Sequence, residues 1–120
     1  GNQNADMIKT LLKAGAAIKA QNKDGSTALM LAARSNRNAD VITALLKAGE
    51  DLEGRDKDGW TPLILAAGYN KNAEVVMTLL KAGASTKAKN NEGMTAYDYA
   101  QSRDTMKDTD ALKRLEEAAR

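Results

Sequence analysis

Apolar residues in this chain recur at helical spacing inside short segments that polar residues separate. In segment 39–48, Val41, Ile42, Leu45 and Leu46 lie three or four positions apart or side by side, so they share one side of a helix. The residue before this segment is an asparagine and the residue after it is a glycine, which are types that begin and end helices. The pattern predicts an amphipathic helix over 39–48.

The apolar pattern repeats at a fixed step of 34 residues. The string Leu-Leu-Lys-Ala-Gly stands at 11–15, at 45–49 and at 79–83. Residues 24–57 and 58–91 align without a gap and are identical at 16 of 34 positions. One short helical unit cannot bury its own apolar face, so units of this size stack on their neighbours. The repeat therefore predicts an all-α solenoid.

Each unit is predicted to hold two short helices. The first helix is expected at 28–34, 62–68 and 96–102, with Thr27, Thr61 and Thr95 as N-caps. The second is expected at 39–48 and 73–82, with Asn38 and Asn72 as N-caps. Small alanine pairs in the first helices allow close helix approach. The bulk of the core is predicted to come from Leu29, Leu31, Leu63, Leu65, the leucine pairs of the second helices and the aligned Tyr97 and Tyr99.

Two motifs give this pattern a family resemblance. Residues 56–67 read Asp-Lys-Asp-Gly-Trp-Thr-Pro-Leu-Ile-Leu-Ala-Ala, and residues 79–84 read Leu-Leu-Lys-Ala-Gly-Ala. They resemble the ankyrin repeat, whose pattern is D-x-x-G-x-T-P-L-H-x-A-A followed by a helix that ends in L-L-x-x-G-A. The resemblance covers residues 4–119 and implies an ankyrin solenoid of helix-turn-helix units joined by hairpin loops.

The chain departs from the ankyrin pattern at both of its usual histidines. Met30, Ile64 and Asp98 stand at the histidine of the T-P-L-H block, so the bonds of that histidine to the turn must be absent or replaced. Asparagine-rich loops at 35–38 and 69–72 replace the usual Gly-His between the helices. These loops are one residue longer than usual and are similar to those of bacterial ankyrin proteins.

The repeats divide residues 1–120 into one predicted domain. A partial N-terminal repeat at 1–23 precedes full repeats at 24–57 and 58–91, and a capping repeat closes the chain at 92–120. In the capping repeat, Asp108 is expected to take the N-cap place of the second helix. Glu116 stands where the other repeats have a leucine, so the last face is predicted to meet water.

The N-terminal segment aligns with the middle of a repeat, because 4–8 matches 38–42. One interpretation is a trimmed chain or a missing upstream repeat. The other is a docking or dimerisation face that includes Met7 and Ile8, since exposed apolar patches often mark interfaces. A monomer is expected, with a dimer through this open face as the alternative.

Charge and composition limit the classes of partner that the chain is expected to bind. The chain has 18 Lys and Arg against 16 Asp and Glu, a net charge of +2, and its basic residues are spread out. Nucleic-acid binders concentrate basic residues on one face, so no nucleic-acid partner is expected. No apolar stretch approaches the length of a membrane span, and no membrane partner is expected. The cellular compartment of the protein is not determined by the sequence. It is the cytoplasm or, if a signal peptide was removed, the periplasm or the exterior.

The residue types also argue against catalysis. The chain has no His and no Cys, which removes the usual general base near neutral pH, the thiolate nucleophile and the common zinc ligands. Segment 56–59 resembles a calcium loop, but Gly54 and Leu65 would then occupy its first and last ligand positions. Glu50 and Asp51 are adjacent in a polar loop and are predicted to be solvated. No enzyme activity, no metal and no cofactor are therefore expected.

The ankyrin resemblance implies protein–protein recognition through the hairpin tips and the concave face of the first helices. Carried over by position, the candidate partner-binding residues are Lys23, Ser26, Arg34, Arg55, Lys57, Trp60, Tyr69, Lys89, Met94 and Arg103. Trp, Tyr and Arg dominate interface hot spots. Packing against a neighbouring hairpin remains the other interpretation of Trp60. Two alternative functions stay open: an assembly segment of a longer ankyrin array, and an engineered scaffold without a natural ligand.

Overall fold

A computed structural model of the chain describes residues 23–119. Within that range it contains six α-helices and one short 3₁₀ turn. The helices are α1 (Ala28–Ser35), α2 (Ala39–Lys47), α3 (Pro62–Tyr69), α4 (Ala73–Lys81), α5 (Ala96–Ala100) and α6 (Asp110–Ala119), and the 3₁₀ turn spans Asp104–Met106. The predicted partial repeat and the apolar face around Met7 and Ile8 lie outside the described residues.

Local capping explains where the helices begin. The hydroxyl of Thr27 accepts a hydrogen bond from the Met30 N–H at 3.2 Å, and Thr61 does the same for the Ile64 N–H at 3.3 Å. Pro62 occupies the first position of α3, where its missing N–H costs nothing. The predicted N-caps of α1 to α5 are confirmed, because a threonine or asparagine side chain caps each of these helices.

The helix ends differ from the prediction by one or two residues. The first helices α1 and α3 each continue one residue further, and α2 and α4 each end one residue earlier. Gly49 and Gly83 follow α2 and α4 with φ of 100° and 98°, so they supply the left-handed turn that the sequence predicted. Helix α5 ends at Ala100 and not at residue 102.

The helices form two stacked layers. In one layer α3 packs between α1 and α5, and in the other α4 packs between α2 and α6. Each first helix also packs against the second helix of its own repeat. The interface between the layers buries the alanine pairs and the leucines, including Leu29, Leu63 and Leu79, which are at most 1% exposed. This is the predicted all-α solenoid.

Three predicted core residues lie nearer the surface than expected. Leu31 is 47% exposed, whereas the aligned Leu65 is 6% exposed. Helix α3, which carries Leu65, has a described first helix on each side, whereas α1 has one on a single side. Tyr97 and Tyr99 are only half-buried. The prediction of a core position for Leu31 is therefore wrong, whereas Tyr97 and Tyr99 pack against the core with part of each side chain exposed.

Successive hairpin tips are joined by a backbone ladder. The Lys57 N–H donates to the Asp24 carbonyl at 2.9 Å, and the Asn91 N–H donates to the Asp58 carbonyl at 2.9 Å. Gly59 lies inside this ladder with φ of 82°, and a Cβ there would come within 2.9 Å of the Asn91 backbone nitrogen. The tips are therefore held in register by the main chain, with a glycine where no side chain fits.

Carboxylates stabilise the turn at 56–60 and the start of α5. The Asp56 carboxylate accepts the N–H groups of Asp58 and Trp60, both at 2.9 Å, so the turn at 56–60 is stabilised from its own first residue. Asp98 accepts the Thr95 N–H at 2.8 Å and completes a capping box. Met30, at the aligned position of α1, is fully buried.

The long loops between the helices are joined to the preceding repeat by side-chain hydrogen bonds. The Asn70 amide donates to the Ala33 carbonyl at 2.9 Å and to the Asn36 carbonyl at 2.8 Å. One repeat further on, Arg103 donates to the Ala67 carbonyl at 3.0 Å and to the Asn70 carbonyl at 2.8 Å. A buried amide and a guanidinium thus satisfy equivalent carbonyl groups at the ends of α1 and α3.

The capping repeat begins its second helix later than predicted. Helix α6 starts at Asp110, and the Thr109 hydroxyl accepts the Leu112 N–H at 3.1 Å, as an N-cap does. Asp108 has φ of 62° and lies in the preceding turn, so its predicted capping role is wrong. The 3₁₀ turn before it buries Met106 completely, which anchors the longer loop. Glu116 is exposed, as predicted.

Candidate functional site

Trp60 brings the aromatic rings of two repeats together. Its ring centroid lies 4.7 Å from that of Tyr99, which is in α5, and the two rings are stacked. The Tyr69 ring, at the end of α3, lies 5.4 Å from the Trp60 ring on a tilt of 33°. Both separations are within the range of favourable aromatic pairs.

A glycine allows the indole of Trp60 to lie close to helix α3. A Cβ at Gly68 would be 3.2 Å from the Cζ3 atom of Trp60, closer than side chains normally pack. The Tyr99 hydroxyl accepts a hydrogen bond from the Asn90 side-chain amide at 2.7 Å, which fixes the ring on the far side. Trp60 is half-buried between these groups, so it packs in the framework and still shows an edge to the surface.

A cation and an exposed leucine extend the aromatic cluster onto α1. The Arg34 guanidinium carbon lies 4.8 Å from the centroid of the Tyr69 ring, a cation–π distance. Leu31 is three residues before Arg34 and therefore neighbours it on the same face of the helix. Leu31 and Tyr69 are the large apolar side chains that stay exposed among the described residues, at 47% and 48%. We refer to Leu31, Arg34, Trp60, Tyr69 and Tyr99 as the aromatic patch.

The structure groups three of the predicted site residues in this patch and separates the others. Arg34, Trp60 and Tyr69 come together, and sequence reasoning missed Leu31 and Tyr99 because both align with a buried leucine. The remaining candidates lie elsewhere. At the hairpin tips, Lys23, Lys57 and Lys89 are exposed and Ser26 and Met94 are half-buried.

Two tip residues take part in contacts within the framework. The Arg55 guanidinium donates to the Gly59 carbonyl at 3.1 Å and to the Lys89 carbonyl at 2.6 Å. Lys57 pairs with Asp24 at 3.0 Å, and this hydrogen bond raises the pKa of Lys57. Both members of that pair are exposed, so the pair adds little stability.

Arg103 has a structural task in the stack. Its guanidinium is half-buried and bonded to two carbonyl groups of the preceding repeat, and burial lowers its pKa. The ordinary pKa of arginine is so high that the group stays charged. Of the predicted site arginines, Arg34 alone makes no hydrogen bond to the described backbone.

Glu50 is buried, contrary to the prediction that it is solvated. Its side chain is 6% exposed, and its Oε1 accepts the Leu29 N–H at the start of α1 at 3.0 Å. Its Oε2 has no hydrogen-bond partner among the described residues. Desolvation raises the pKa of Glu50, the Leu29 bond lowers it and the charge of Asp51 raises it, with a net rise. This carboxyl group lies against the start of α1.

The described residues were searched for a metal site and for a membrane-spanning helix. Between residues 23 and 119, no three Asp or Glu side chains converge where they could hold a metal ion. None of the helices in that range is both long and apolar enough to cross a bilayer. An open groove does run between the second helices, lined by Thr43, Leu46, Lys47, Thr78, Lys81 and Ala82.

The chain belongs to the ankyrin repeat family. A family model described as ankyrin repeats (3 copies) matches residues 1–90 and also, in an overlapping match, residues 35–116. A comparison with curated proteins found no significant match. Ankyrin repeats are generally protein–protein interaction modules, and the family is typically not enzymatic.

Proposed function

We propose that this chain binds a protein partner through the aromatic patch on the face of its first helices, aided by the hairpin tips. The observation that carries the proposal is the exposure of Leu31 and Tyr69 beside the Arg34 cation, at 47% and 48%. Exposed apolar side chains next to an arginine and a tryptophan have the composition of an interface hot spot. The family's general role in protein binding supports the same conclusion.

The roles of the ten candidate residues divide accordingly. Arg34, Trp60 and Tyr69 would form the centre of the interface. Lys23, Ser26, Lys57, Lys89 and Met94 would form the rim of the interface at the tips, and Arg55 and Arg103 would hold the framework that presents it. We further propose that the domain spans 1–120 with repeat boundaries after residues 23, 57 and 91, and that it acts as a monomer without catalytic activity.

A pull-down with matched variants tests the proposal. Tyr69→Ala removes an exposed ring, whereas Lys81→Ala removes an exposed side chain on the second helices. Each tagged variant would be incubated with lysate of the source cells, and bound proteins would be quantified by mass spectrometry. We expect Tyr69→Ala to lose at least one partner that the unchanged chain and Lys81→Ala both retain.

Controls separate binding from folding and from assembly. Helicity and thermal melting of Tyr69→Ala should stay close to those of the unchanged chain. Trp60→Ala is a poorer probe, because removing the indole would leave a gap between Gly68 and Tyr99. If Tyr69→Ala retains all partners while Met7→Ser with Ile8→Ser loses them, the chain is an assembly segment of a longer array and the proposal is wrong.

A further inference from the structure

We infer that the corner formed by Leu31, Arg34 and Tyr69 selects a partner segment that carries a carboxylate beside an apolar side chain. This inference rests on the proposed function and specifies the chemistry of the partner. The three candidate arginines differ in their hydrogen bonds. Arg55 and Arg103 each donate to two backbone carbonyl groups, whereas no described residue accepts a hydrogen bond from Arg34.

The charge of Arg34 also lacks a partner within the described chain. The one ion pair between residues 23 and 119 joins Lys57 to Asp24. Asp56 and Asp98 use their carboxylates to accept backbone N–H groups, and Glu50 is buried at the start of α1. No carboxylate between residues 23 and 119 forms an ion pair with Arg34, so its charge is available to a carboxylate of a partner.

The position of Arg34 suits carboxylate recognition. Its guanidinium is held over the Tyr69 ring at 4.8 Å, which restricts the side chain before a partner arrives. A guanidinium carries five N–H donors in a planar fork that matches the two oxygens of a carboxylate. The Arg34 guanidinium lies over the Tyr69 ring, and no described residue uses its N–H donors. These donors can therefore bind both oxygens of a carboxylate. A lysine at this position would offer only a point charge.

The apolar half of the expected segment follows from the neighbours of Arg34. Leu31 lies one helical turn before it, and Tyr69 lies beneath it, and each leaves about half of its surface in water. An apolar side chain that covers both would also exclude water from the guanidinium. Removing water strengthens the cation–π contact and the charged hydrogen bond. The two halves of the segment therefore reinforce each other.

Selection from a random peptide library displayed on phage tests this inference. The baits are the unchanged chain, Arg34→Gln, and Arg114→Gln, which neutralises an exposed arginine of α6 as a matched control. Peptides selected by the unchanged chain and by Arg114→Gln should be enriched in Asp or Glu adjacent to an apolar residue. Peptides selected by Arg34→Gln should lose the enrichment in acidic residues.

One selected peptide then allows a double-mutant cycle. Arg34→Gln should weaken its binding about tenfold, the effect of losing a charged hydrogen bond. Changing the peptide's acidic residue to its amide should weaken binding to the unchanged chain by a similar factor and should hardly change binding to Arg34→Gln. Additive losses, or equal acidic enrichment with Arg34→Gln, would overturn the inference.

The same peptides distinguish this inference from the proposed function. If Tyr69→Ala abolishes peptide binding but Arg34→Gln does not, the patch binds proteins and the carboxylate preference is wrong. If neither variant changes binding, both the preference and the proposed binding surface are wrong. Retention of binding by Arg34→Lys at full strength would contradict the fork geometry and favour a simple charge effect.

Discussion

Glu50 shows how a single residue can depart from its repeat. The aligned residue of the next repeat is Ala84, which is also buried. In place of a methyl group the chain has a carboxyl group that bonds the Leu29 N–H through one oxygen and leaves the other unpaired. Burying an acid without full pairing favours its protonated form, and this raises the pKa of Glu50.

The raised pKa predicts a pH-dependent stability. The folded state holds the Glu50 proton more tightly than the unfolded state, so the free energy of unfolding falls as the pH rises from the ordinary glutamate pKa through the raised one. Glu50→Gln keeps an acceptor for Leu29 and removes the charge. At neutral pH we expect it to be more stable than the unchanged chain by about 1 kcal/mol, the scale of one poorly paired buried group.

Urea unfolding from weakly acidic to neutral pH measures this effect. Glu117→Gln is the matched control, because Glu117 is exposed on α6. The stability difference between Glu50→Gln and the unchanged chain should shrink as the pH falls, whereas the control should follow the unchanged chain. A difference that does not vary with pH would show that Glu50 is not the source.

The burial of Glu50 could not be predicted from its surroundings in the sequence. It follows Gly49 and precedes Asp51 in a polar loop, a context typical of solvated residues. Its hydrogen-bond partner Leu29 is 21 positions away and lies in the other helix of the repeat. The N-caps of α1 to α5, in contrast, were predictable because the capping side chain and the N–H it accepts are two or three residues apart.

At the scale of elements, two different side chains make equivalent hydrogen bonds between repeats. Asn70 bonds the carbonyl groups of Ala33 and Asn36, and Arg103 bonds those of Ala67 and Asn70, each acceptor 34 positions later. Arg103 was a candidate binding residue because it aligns with Tyr69. Its guanidinium instead bonds carbonyl groups at the end of α3.

Replacement of Arg103 and of Arg34 by alanine is therefore expected to cost different amounts of stability. Arg103→Ala leaves two carbonyl groups at the end of α3 without their charged donor, and we expect a loss of stability of about 2 kcal/mol. Arg34→Ala removes an exposed side chain and should cost about 0.5 kcal/mol. Chemical denaturation of both variants checks this. Equal losses, or a larger loss for Arg34→Ala, would contradict the assignment of Arg103 to the framework.

The starts of the helices were predictable where the repeat is regular. The prediction of helix boundaries failed where the repeat is irregular. The starts of α1 to α4 follow from residues that recur at the same place in each repeat. The early end of α5 and the late start of α6 follow from a longer connection that the other repeats lack. That connection folds into a 3₁₀ turn with Met106 buried beneath it, a tertiary contact that the periodic pattern does not contain.

At the scale of the whole molecule, the aromatic patch exists only because the repeats stack. Arg34 belongs to the repeat at 24–57, Trp60 and Tyr69 to the next, and Tyr99 to the capping repeat. The sequence predicted Arg34, Trp60 and Tyr69 separately as candidates. Their convergence with Tyr99 depends on the packing of α1, α3 and α5, and on the glycine at position 68 that admits the indole.

We propose that recognition takes place on the first-helix face, at the aromatic patch. Chemical-shift mapping tests it most directly, with the nitrogen-15-labelled chain titrated with a peptide obtained by library selection. We expect the largest shifts on Leu31, Arg34, Tyr69, Tyr99 and the indole N–H of Trp60. Shifts concentrated instead in the groove between the second helices, at Thr43, Leu46 and Thr78, would contradict it.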